Sequence, residues 1–104
     1  MAKVSVIAVE ELDELWRLNR MPEKRVGGVL TEIIAYSSAA GNPAYAGGTS
    51  RIVKLLTRKG QHIGTIHEIV MPDGTRPHSH PKDYTLRDCS RVRTPVERPQ
   101  TRAD

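Results

Sequence analysis

Between Arg51 and His80 the chain is rich in Ile, Val and Leu and is interrupted twice by short turn signals, Lys59-Gly60 and Pro72-Asp73-Gly74. Runs of such residues bounded by tight turns describe antiparallel strands. Arg51 to Arg58 reads as one strand, Lys59-Gly60 as a two-residue turn, and Gln61 to Met71 as the returning strand. Gly74 is placed for a left-handed backbone conformation. It turns the chain into a short strand, Thr75 to His80, which Pro77 assigns to a sheet edge.

Upstream, Lys3 to Ala8 alternates well enough for a short strand, and residues 10–20 predict a helix. Leu12, Leu15 and Trp16 form its apolar stripe, with Trp16 as the core anchor. Glu10, Glu11, Asp13 and Glu14 lie early and Arg17 and Arg20 late, as the helix dipole favours, and Pro22 ends the helix. Gly27-Gly28 leads into a strand, Val29 to Ser37. The loop from Ser38 to Ser50 is long enough to be mobile or functional. It lacks the Gly-Lys-Ser/Thr ending of a phosphate-binding loop. The expected fold is α+β in two layers, one N-terminal helix on a mostly antiparallel sheet of four or five strands. Residues 1–88 form the domain, and residues 89–104 a basic, disordered tail with Arg91, Arg93, Arg98 and Arg102 against Glu97 and Asp104.

A chain of 104 residues with 38% apolar side chains and no Phe builds a thin core of Val, Ile and Leu. Cys89 is the single cysteine, which excludes an intrachain disulfide and suits a reducing compartment. The first residues do not read as a signal peptide and no apolar run spans a bilayer, so a cytoplasmic protein without membrane contact is expected. The net charge of +4 favours acidic partners, RNA among them. Lys54, Arg58 and Lys59 cluster at the hairpin tip as candidate phosphate contacts. The other partner expected is an unidentified protein or a second copy, joined at an exposed strand.

The two turns fix registers. Arg51 is expected opposite Glu68, Glu68 opposite His78, and Ile66 opposite His80. Arg51, Glu68, His78 and His80 would then share one face, with His67 on the other. Such a row suits metal-independent RNA cleavage: Glu68 as general base, His78 as general acid, Arg51 as phosphate clamp and His80 as a secondary proton donor, with no cofactor. A helix followed by an antiparallel sheet is broadly similar to barnase-type and RelE-type ribonucleases, at the level of architecture only. The competing expectation is a surface ion pair between Arg51 and Glu68 with ordinary polar histidines.

A further alternative lies in His78-Ser79-His80. Histidines two apart on a strand point the same way and can reach one ion. Met71 to Pro81 resembles the first motif of cupins, a Gly followed by His-x-His and a later Glu. The resemblance implies metal ligation by His78 and His80 with Glu68 or Asp83. Here the Gly-to-His gap is short, Asp83 replaces the Glu, and no second motif follows. His62 is expected at the solvent-exposed turn, His67 as a core or interface residue, and Cys89 as an unreactive thiol.

Overall fold

The apolar stripe of the first helix decides where the core forms. In the structure, a computed structural model that describes residues 3–95, Leu12 and Trp16 are buried on helix α1 (Val9–Leu18). Glu11 caps the start by accepting a hydrogen bond from the Ala8 backbone N–H, and Asn19 closes the end by donating its side-chain amide to the Leu15 carbonyl. Arg20 then takes a left-handed conformation, φ 56°, and breaks the helix. Pro22 does not end α1, as expected from sequence. It sits in the first turn of a second helix, α2 (Met21–Val26), where a missing N–H costs nothing.

Among the described residues six strands make one sheet: β1 (Val4–Val6), β2 (Thr31–Ala39), β3 (Thr49–Leu56), β4 (His62–Val70), β5 (His78–Thr85) and β6 (Arg91–Arg93). Their spatial order is β1-β6-β5-β4-β3-β2, antiparallel except for the β1–β6 pair. The α+β two-layer fold expected from sequence is therefore present, with one more helix and one more strand. Both helices lie on one face, over a core of Leu12, Trp16, Met21, Val53, Leu55, Ile66, Tyr84 and Val92. Trp16 meets Tyr84 edge-on, ring centroids 6.0 Å apart.

Trp16 also dictates Gly64. A Cβ on Gly64 would stand 2.7 and 2.8 Å from the Trp16 ring and 3.2 Å from the Asp83 carbonyl. Gly64→Ala should therefore cost about 1–3 kcal/mol by overpacking. Chemical denaturation should show a lowered midpoint with an unchanged slope.

Two stretches read as peripheral belong to the sheet. β5 runs on through Pro81 to Thr85 and is an interior strand between β4 and β6, not an edge. Pro81 is tolerated because the β4–β5 register shifts there, with Lys82 as the extra residue. Residues 91–93, expected in the tail, form β6, and Val92 is buried. The rest of the expected tail, residues 96–104, lies outside the described residues. Among the described residues no helix is long and apolar enough to cross a membrane.

Candidate metal centre

The site follows from where each strand gains or loses a residue. Around the first turn the loop holds three residues, Arg58 to Gly60, rather than two: Thr57 N–H donates to Gln61 O at 2.8 Å. A register shift beside Leu55 and Leu56, with Ile63 as the extra residue, cancels that difference. Arg51 therefore faces Glu68, and Val53 faces Ile66, as expected.

The second turn also forms as expected, with Met71 N–H donating to Thr75 O at 2.8 Å. The strand after it does not follow that register. One extra residue is taken up between Thr75 and His78, where Pro77 has no N–H to donate to the ladder. Glu68 consequently faces Ser79, Ile69 faces His78, and His67 faces His80. A slip of one residue sends every side chain to the other face. The row of Glu68 with His78 and His80 does not assemble: Arg51 and Glu68 lie on the helix face, and the two histidines on the opposite, helix-free face.

Each half of the expected row finds other company. On the helix face Glu68 is fully buried and ion-paired with arginines from three segments, two of which also hydrogen-bond it. Arg51 Nε lies 2.8 Å away, Arg25 Nη1 3.2 Å and Arg76 Nε 3.8 Å. Arg25, delivered by α2, also clamps Glu32 through two bonds of 2.8 and 2.9 Å. Burial alone would raise the Glu68 pKa; hydrogen bonds from Arg51 and Arg25 and the charges of Arg25 and Arg76 outweigh it and hold the carboxyl below its ordinary range. A carboxylate held this way is a poor base. Its folded pKa is depressed, so its contribution to stability is present above the unfolded value near 4.5 and is lost as pH falls through the folded value. Glu68→Gln should flatten the acid limb of the stability–pH curve below about pH 5, measured by urea unfolding at stepped pH.

On the helix-free face His78 and His80 meet His67 of β4. Ring centroids are 5.2 Å apart for His67–His78, 5.4 Å for His67–His80 and 4.8 Å for His78–His80. One ligating nitrogen from each ring lies within 4.8 Å of the other two, and all three residues are half-buried. Nitrogens bound to one tetrahedral zinc stand roughly 3.4 Å apart, so small side-chain rotations close the set. Neighbouring groups orient two of the rings. Ser50 Oγ lies 2.8 Å from His67 Nε2, and His80 Nδ1 lies 3.3 Å from the Pro81 carbonyl. An N–H at His80 Nδ1 donates to that carbonyl and leaves Nε2 as the lone-pair nitrogen.

The long loop supplies a wall. Asn42 caps a short 3-10 turn, Pro43–Tyr45, by accepting from Ala44 N–H. At Gly48 a Cβ would come within 2.8 Å of Met71 Sδ and 3.2 Å of Ile69, so only glycine lets the loop pack this closely on β4. That packing sets Tyr45 against His78, centroids 6.4 Å apart.

His62, the fourth histidine of the chain, is on the same face but outside the triad. It is not at an exposed turn as expected: it opens β4 half-buried and bonds Thr65 Oγ1 at 2.8 Å. Burial lowers its pKa against the pull of Asp83, so it is neutral at pH 7. Asp83, a metal ligand on the cupin resemblance, instead accepts a 2.7 Å bond from Arg91. With Lys54, Leu56, Thr65 and Thr85 these residues line a cleft of about 640 Å³ on the histidine face. Lys54 is exposed there, and Arg58 and Lys59 are exposed at the β3–β4 turn. Cys89 is an exposed free thiol at φ 70°.

Sequence reasoning paired His78 with His80 but missed His67. Its alternation phase was readable, and the extra residue at Arg76-Pro77 was the missing signal. No family model, no curated protein and no solved structure matches the chain. Its function is therefore read from the site itself.

Proposed function

We propose that this chain is a metal-binding protein whose ion is held by His67, His78 and His80 on the open face of the sheet. The observation that carries the reading is the convergence of three imidazole nitrogens within 4.8 Å, from two adjacent strands. Three neutral nitrogen ligands without a carboxylate suit zinc, copper or nickel better than magnesium or calcium. Three histidines would leave the ion a coordination position for water or a ligand, and a zinc held there would lower the pKa of its bound water, in the manner of open rather than structural sites.

Equilibrium dialysis of the metal-free chain against zinc, and separately nickel, tests this. One tightly held ion per chain is the expected result, and retention no greater than that of a triad triple-alanine variant contradicts it. RNA engagement through Lys54, Arg58 and Lys59 is a separate proposal. Its support is their exposure, and its test is RNA binding by a variant with all three replaced by alanine.

A further inference from the structure

β2 is the edge of the sheet, and it is unusually bare. Residues 31–37 are all exposed, with Ile33 47%, Ile34 53% and Tyr36 62% accessible. The strand carries no Lys and no Pro, and its one charge, Glu32, is engaged by Arg25. Edges of natural sheets are normally short, charged, proline-bearing or covered. The opposite edge, β1, meets that rule with three residues. Nothing among the described residues pairs with the outer edge of β2.

We infer that β2 pairs antiparallel with β2 of a second copy, merging two six-stranded sheets into a continuous one. This goes beyond the metal reading and does not depend on it. The register can be derived. Residues directly opposite must share a face, and the pairing with β3 assigns the faces. Thr31, Ile33, Tyr36 and Ser38 stand with Leu56, Lys54, Ile52 and Ser50 on the histidine face; Glu32, Ile34 and Ser37 stand with Leu55, Val53 and Arg51 on the helix face. The change of phase comes from the bulge at Ala35.

A two-fold that sets Ile33 opposite Tyr36 of the second copy satisfies this rule along the strand. Thr31 then faces Ser38, and Glu32 faces Ser37. The apolar pair is of the aromatic–β-branched kind that stabilises sheets. No like charges meet, and Glu32 comes to the end of the strand where Arg51 stands beside Ser37, so the charges are complementary. Shifting by one residue would oppose side chains from different faces. An antiparallel pair of this kind has its two-fold normal to the sheet, so both histidine clusters face the same side.

Sedimentation equilibrium of the full chain at roughly 100 μM tests the inference. The expected mass is near twice 11.6 kDa, and a monomer overturns the proposal. Ile33→Lys/Tyr36→Lys sets lysine against lysine and should return the monomer mass. Leu18→Lys, on the exposed side of α1, should leave the dimer intact. A lysine variant that remains dimeric also overturns it. Should that variant fail to fold, amide exchange of the natural chain decides. β2 amides that gain protection with concentration support the pairing, and protection independent of concentration contradicts it.

Discussion

Alanine at His67, His78 or His80, one at a time, is expected to lower zinc affinity by at least ~100-fold, while His62→Ala leaves it within about threefold. The magnitude follows from comparison with outer-shell effects. Loss of a group that merely orients a ligand costs roughly 10–100-fold, so removal of a ligand costs more. His62 is the internal control because it shares the face, the residue type and, with His67, the strand, yet lies outside the converging nitrogens. All three triad residues are half-buried at the helix-free face, so alanine there removes little core packing. Competition against a chromophoric chelator reads the affinities. Equal losses at His62 and the triad would mean diffuse binding by imidazoles, not a built site.

Glu68→Ala is expected to destabilise the fold by about 3–5 kcal/mol, the range for removing one partner of a buried ion pair. In a domain of this size that lowers the melting temperature by roughly 12–40 °C. The reason is what remains: Arg51, with its side chain 21% exposed, loses its carboxylate, and Arg25, 11% exposed, is left with Glu32 alone. Arg76 is 47% exposed and 3.8 Å away, so Arg76→Ala should cost under ~1 kcal/mol. Calorimetry distinguishes the two. The folded fraction of Glu68→Ala should still bind zinc with unchanged affinity, because the carboxylate is on the other face of the sheet from the triad. Equal stabilities for Glu68→Ala and the natural chain would show that Glu68 does not hold α2 to the sheet through Arg25.

The contrast between these residues explains how far the sequence could be read. Helix α1, its Trp16 anchor and the central hairpin are legible because they rest on local periodicity and turn chemistry. The Arg51–Glu68 pairing is legible although the turn is one residue longer than Lys59-Gly60 suggests, because the extra residue at Ile63 cancels the difference. At the next turn nothing cancels. The reversal at Met71–Thr75 is correct, but the extra residue before His78 moves two histidines across the sheet. Bulges of this kind depend on how a strand packs against its neighbours, and no single-strand pattern announces them. Chemistry assigned by residue type therefore survived in part. His78 and His80 do belong together, but their partner is His67, while Glu68 serves the arginines. β6 was hidden for a similar reason: a three-residue strand, Arg91–Arg93, flanked by arginines reads as tail until β1 and β5 are there to pair with it.

The central claim, that three imidazoles on the open face make one metal site, is met most directly by nitrogen-15 NMR of the four histidine rings during zinc titration. His67, His78 and His80 should shift together, saturate at one equivalent and each lock into a single tautomer, with His80 keeping its proton on Nδ1, while His62 is unmoved. Shifts spread evenly over all four rings, or none at one equivalent of zinc, would contradict it.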